Sequence, residues 1–305
     1  MLDACLDPAL AAEITLQPVR RHGVDAAIFF SDIVVPVKCA GVDVVITPGV
    51  GPVVAQPFAT ASDTERLPTP GAGMFDAVAA GVRTTVAELG ATPLIGFAGA
   101  PFTVASYLIE GGPSRDLPKT KAMMIREPGL FAAIMGRLAD LAAAFLRVQI
   151  DNGASAVQLF DSWVGALPAR LYREHVLPHS QRVFEHIADL GVPRVHFAVG
   201  ANHLAPDMAA AGCDVLGVDF RIDLDLVDSG IRSRMPLQGN LDPAVLLTDE
   251  ATISAEVRRV LQSGRGLRGH VFNLGHGVLP DTPADNVTAA VRAVQEFGEP
   301  FEGVA

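Results

Sequence analysis

Short apolar runs alternate with longer amphipathic stretches along this chain. Seven runs have the length and composition of buried strands: 24–30, 93–98, 155–160, 193–198, 214–219, 235–239 and 270–274. Between them, 128–153, 168–190, 243–263 and 283–297 carry apolar residues at helical spacing. Each opens with a proline, whose missing N–H costs nothing in a first helical turn. Residues 1–22 read as a helix and its approach, started by Asp7-Pro8 and stopped by Gly23. The segment 41–73, rich in Gly, Pro and Val, reads as a small hairpin followed by a loop. Alternating strands and helices predict a parallel sheet.

Polar side chains recur at or just past the carboxyl ends of these runs: Asp32, Asp161 with Ser162, Asp219, Asn240 with Asp242, and Asn273 with His276. In a (β/α)8 barrel that end of the strands is the catalytic face. Chemistry drawn from so many strands converges better in a closed barrel than in a doubly wound sheet. The expected fold is therefore an α/β protein of the (β/α)8 TIM-barrel type, as a single domain over 1–305. Seven strands are one short of eight. Because 1–22 read as helix, the expectation is that the first barrel strand is missing, that 26–30 is the second, and that Met1 is an internal methionine of a longer chain.

Composition narrows the function classes. Half the residues are apolar and 19% are charged, enough for a sizeable core and too apolar for wholesale disorder. A net charge of −11 disfavours non-specific binding to nucleic acid or anionic membranes, so an anionic ligand would need a local cluster of Arg or His. Cys5, Cys39 and Cys213 are odd in number, far apart and without C-x-x-C spacing, as in a reduced cytoplasmic protein. Residues 89–109 carry no charge, yet Pro93, Gly96, Gly99 and Pro101 break them into a strand, a turn and a helix start, which argues against a membrane span. The acidic N-terminus has no signal-peptide pattern.

Of the candidate chemistry, Asp32 stands out. It ends an apolar strand, and no cation follows before Lys38, so a partner from elsewhere, such as a ligand, must satisfy it. Gly264-Arg265-Gly266-Leu267-Arg268-Gly269 spells the dinucleotide pattern G-x-G-x-x-G, but it follows a helix and precedes a strand. That context makes it a basic turn on the stability face. His175 and His179 have zinc-ligand spacing, but Pro178 lies between them and no H-E-x-x-H is present. There is no G-x-S-x-G elbow and no P-loop. His276, between Gly275 and Gly277 at a strand end, favours function. Tyr107 reads as either a core or a site tyrosine, and Ser162 as either a helix cap or a site hydroxyl.

Together and in this order, Leu16-Gln17-Pro18-Val19-Arg20-Arg21, Phe30-Ser31-Asp32-Ile33, Gly99-Ala100-Pro101-Phe102-Thr103 leading to Tyr107 and Glu110-Gly111-Gly112, Leu159-Phe160-Asp161-Ser162, Gln238-Gly239-Asn240-Leu241-Asp242-Pro243 and Asn273-Leu274-Gly275-His276-Gly277 resemble the uroporphyrinogen decarboxylase family, from about Asp7 to the C-terminus. The resemblance implies a cytoplasmic homodimeric barrel that acts without metal or organic cofactor. It would convert the four acetate side chains of uroporphyrinogen III to methyl groups, giving coproporphyrinogen III. It also implies that Asp32 stabilises a protonated pyrrole, and that Tyr107, Ser162 and His276 bind the substrate, with His276 a secondary candidate for proton donor. The family's arginine-bearing segment of the type Met-Arg-Gln-Ala-Gly-Arg is not in this sequence, which leaves Arg221 as the cation expected near the pocket. Two rival readings remain. One is a catalytically impaired, tetrapyrrole-binding barrel. The other is a zinc- and corrinoid-dependent methyltransferase of the same superfamily, in whose place for a zinc-ligating Cys this chain has Ala198.

Overall fold

The structure, a computed structural model, describes residues 1–298. Its strands in chain order are β1 (Ala27–Ile28), β2 (Val44–Thr47), β3 (Gly51–Val54), β4 (Leu94–Gly99), β5 (Ala156–Phe160), β6 (Arg194–Phe197), β7 (Val215–Gly217), β8 (Leu237–Gln238) and β9 (His270–Val271). β2 and β3 form the antiparallel hairpin expected within 41–73. The other seven pair in parallel in the order β1-β4-β5-β6-β7-β8-β9. Chain order and spatial order coincide, so there is no point at which the sheet reverses direction, as a doubly wound fold requires. This is barrel topology. Among the described residues the outer edges of β1 and β9 are unpaired, and their Ile28 and Val271 are 44% and 46% exposed.

The helices form where the sequence signals lie. Helix Pro8–His22 starts at Asp7, whose Oδ1 accepts from Ala9 N (3.0 Å) and Leu10 N (3.1 Å), and stops at Gly23 in the left-handed conformation (φ 67°). The expected helix 168–190 is instead split into Ala169–His175 and Leu177–Glu185, followed by the 3-10 turn Ala188–Leu190. The ring of Pro178 crowds the carbonyl four residues back, at Glu174, so the helix cannot run through unbroken. Likewise 243–263 divides into the 3-10 turn Pro243–Leu247 and helix Glu250–Ser263, which Asp249 caps through Thr252 N at 2.9 Å.

Helix Pro128–Asp151 is the one described helix long and apolar enough to cross a membrane. It buries Phe131, Ile134, Leu138 and Phe145 against the core, and fully buried Gln149 ties it to β4. Gln149 Nε2 donates to Phe97 O (2.9 Å), and its Oε1 accepts from Phe97 N (3.0 Å). A Cβ at Gly96 would lie 2.7 Å from that Oε1, so a glycine is needed at this crossing. The buried apolar side chains form one contiguous cluster from Leu2 to Ala293.

Candidate active site

β1 carries the chain to Phe29, fully buried, and releases it into the turn 31–34. There Asp32 holds the turn that leads into helix Val35–Cys39: its Oδ1 accepts from Val34 N and its carbonyl from Val35 N, both at 3.0 Å. The second carboxylate oxygen makes no hydrogen bond among the described residues. Burial raises the carboxyl's pKa, the Val34 N–H only partly offsets this, and no cation contributes. Among the described residues no cation forms an ion pair with Asp32. Asp32 is close enough to buried Cys5 to help burial push that thiol up to about 11.

β4 ends at Gly99, and helix Pro101–Glu110 begins two residues later, turning Tyr107 inward at 9% exposure. Its hydroxyl pKa is raised by burial and further by the charge of Asp32, while the Trp163 side chain draws it back. The Tyr107 and Trp163 rings meet edge to face, centroids 5.9 Å apart. Asp32, Tyr107 and the Ser162–Trp163 turn after β5 are thus brought together. Ser162 caps no helix: the following 3-10 turn Val164–Ala166 has Trp163 at its N-cap and no side-chain cap.

Sequence reasoning did not find the device that fixes this turn. Asp161, fully buried, accepts from Thr103 Oγ1 (2.8 Å), and the same hydroxyl accepts from Trp163 N (3.2 Å). One threonine on the helix of Tyr107 thereby holds the turn of Ser162. Both residues lie in quoted motifs, but their separation of 58 positions hides the pairing. His276 behaves differently. It sits past β9 in an exposed loop, without a hydrogen bond or ion pair to the other three residues. The backbone before it is tightly held, with Gly275 N donating to Leu241 O at 2.7 Å.

The remaining motifs resolve as structural features. Residues 264–269 link helix Glu250–Ser263 to β9, as their context predicted, and Gly264 lies where a Cβ would be 2.5 Å from His270 Nδ1. His175 packs edge-on to Phe131, and burial lowers the pKa of His179. Among the described residues no three His, Cys, Asp or Glu side chains gather as metal ligands. A cavity of about 530 Å³, lined in part by Cys213, Asp214, Arg234 and Arg268, opens at the amino ends of β7 to β9, away from Asp32.

Comparison with known proteins agrees with this geometry. The family model described as uroporphyrinogen decarboxylase (URO-D) matches residues 1–297. The uroporphyrinogen decarboxylase of Salinispora tropica is 57% identical over 297 residues, covering 97% of this chain and 80% of the relative. That of Streptomyces coelicolor is 56% identical over 296 residues, covering 96% and 83%. Among solved structures, a methyltransferase from Methanosarcina mazei superposes with a TM-score of 0.81 over 97% of this chain and 87% of its own, at 22% identity, a likeness of fold alone.

Proposed function

Since the chain belongs to the uroporphyrinogen decarboxylase family, we propose that it removes the carboxyl groups of the four acetate arms of uroporphyrinogen III, giving coproporphyrinogen III in heme and porphyrin biosynthesis. It is a carboxy-lyase, and its fold is of the (β/α)8 type. We assign the whole chain to one domain working as a cytoplasmic homodimer.

The chemistry sets what the site must do. Loss of carbon dioxide from an acetate arm leaves an electron pair that needs a sink. Protonation of the pyrrole at the ring carbon beside the arm creates a cation. The C–CO2 bond then breaks, its electrons flow into the ring, and an exocyclic methylene forms. A proton added to that methylene and one lost from the ring carbon complete the methyl group, so each turn consumes one proton and releases one carbon dioxide. The demanding state is the cation. A fixed carboxylate in a water-poor site stabilises it without reorganising, and can also accept hydrogen bonds from pyrrole N–H groups.

Asp32 carries the proposal. It is a largely buried acid with, among the described residues, no cationic partner and one oxygen uncommitted. In this reading Tyr107 and Ser162 donate hydrogen bonds to substrate carboxylates on the same side, and His276 closes over the substrate from the exposed loop after β9. His276 is also the candidate proton donor. The test is anaerobic incubation with uroporphyrinogen III and chromatography of the products. Coproporphyrinogen III, reached through partly decarboxylated intermediates, is expected; unchanged octacarboxylate would overturn the reading. Sedimentation at micromolar concentration tests the dimer.

A further inference from the structure

The turn after β7 is braced from three neighbouring strand ends. Asp219, 1% exposed, accepts from Gly200 N (2.5 Å) and Asn202 Nδ2 (3.4 Å) in the loop after β6. From β8, Asn240 Nδ2 donates to Asp219 O (2.9 Å) and Ile222 O (2.6 Å), so one amide clamps both ends of the turn. From β9, Gly275 approaches so closely that a Cβ there would lie 2.3 Å from Phe220 N. All this order presents one side chain, Arg221. Its Nη1 pairs with Asp219 Oδ2, its guanidinium carbon lies 4.5 Å from the centre of the Phe220 ring, and it remains 48% exposed.

A guanidinium has five N–H donors, and Asp219 engages one edge. The other N–H groups of Arg221 have no partner among the described residues. The close approach of Gly275 to Phe220 also means that Arg221 and His276 spring from touching backbones at the carboxyl ends of the strands. β7 stands four places along the sheet from β1, so Arg221 lies at the carboxyl ends of the strands well away from Asp32.

We infer that Arg221 is a substrate-binding residue that takes a carboxylate of a tetrapyrrole ring other than the one held at Asp32, an inference resting on the decarboxylase reading above. Asp219 cancels the net charge of the pair. Arg221 therefore contributes direction, a guanidinium edge already fixed in place, so little side-chain entropy is lost when a carboxylate docks. A planar fork suits the bidentate geometry of a carboxylate, which a lysine would not reproduce. Because the contact lies away from the reacting ring, it is made equally in ground state and transition state. Its loss raises KM and spares kcat.

The experiment compares the unmodified protein, Arg221→Gln, Arg221→Lys and the double variant Asp219→Asn/Arg221→Gln in steady-state decarboxylation of uroporphyrinogen III, with thermal melts alongside. Arg221→Gln strands the buried Asp219 charge and can destabilise the fold for that reason alone; the double variant removes that penalty. Expected are a KM raised at least tenfold in both Gln variants, kcat within threefold of the unmodified protein, and a smaller KM rise for Arg221→Lys. If the double variant recovers both melting temperature and KM, Arg221 only partners Asp219 and the inference is wrong. No turnover by the unmodified protein would remove the decarboxylase reading and this inference with it, whereas turnover with an unmoved KM removes the inference alone.

Discussion

Asp32→Asn separates chemistry from stability at one position. Asn retains an oxygen to accept from Val34 N, so the turn before helix Val35–Cys39 survives while the charge is lost. The magnitude follows from the dielectric around the carboxylate. A unit positive charge ~4 Å from it gains about 4 kcal/mol at an effective dielectric near 20, but about 1 kcal/mol in water. Asp32 is largely buried, enough for desolvation to dominate its titration, so the larger figure applies. At about 1.4 kcal/mol per tenfold, kcat should fall roughly a thousandfold. Stability should move the other way. The folded pKa of Asp32 is raised, so ionisation opposes folding, and that cost is present above the folded pKa and vanishes below the ordinary carboxylate range. The variant should therefore melt at or above the unmodified protein at pH 7, and this advantage should shrink as the pH falls through the raised folded pKa and be gone below the ordinary carboxylate range. Turnover in the unmodified protein should decline on acidification at a pH above the usual carboxylate titration, as Asp32 takes up a proton. Product chromatography and thermal melts across pH read all three effects. A kcat within tenfold of the unmodified protein, or a melting temperature several degrees lower at pH 7, would refute the reasoning.

Other perturbations probe the surrounding frame. Thr103→Val removes the hydroxyl that holds both Asp161 and Trp163 N, leaving a buried carboxylate oxygen unpaired; a loss of about 1–3 kcal/mol in urea unfolding is expected, with kcat lowered through displacement of Ser162. Gly275→Ala forces a Cβ against Phe220 N and should cost a similar ~1–3 kcal/mol, read in the same assay. Thiol titration at pH 7.5 should modify Cys39 first, because Cys5 and Cys213 are buried and burial pushes their pKa values to about 11 and about 12; mass spectrometry of the labelled peptides identifies the order.

Much of the barrel was legible because the parallel strands lie in short, mainly apolar runs, and five of the seven are followed closely by polar residues: Asp32, Asp161, Asp219, Asn240 and Asn273. Six of the seven sheet strands fall within the expected runs and β4 overruns 93–98 by Gly99, while 24–30 narrows to Ala27–Ile28, since ladder bonds exist only on the side facing β4. The break near Val176 was also written in the sequence, in Pro178, but the apolar spacing around it continues smoothly and masks it. Asp32 could be singled out because its anomaly is local: an acid at a strand end with no cation nearby. The Thr103–Asp161 clamp and the bracing of Arg221 could not, because each joins segments whose proximity exists only once the sheet has curled. His276 shows the converse. Its glycine-flanked position signalled function, while its exposure and its lack of hydrogen-bonded partners among the described residues emerge only in three dimensions.

The match between strand order and chain order also bears on biogenesis. Each sheet strand after β1 docks beside the sheet strand made just before it, so the sheet can elongate during translation without waiting for a distant segment. The Asp161 clamp can close once β5 has emerged, whereas the brace around Arg221 must await β9, near the end of synthesis. The half of the pocket around Asp32 can thus be shaped on the ribosome, and the opposite half is completed last.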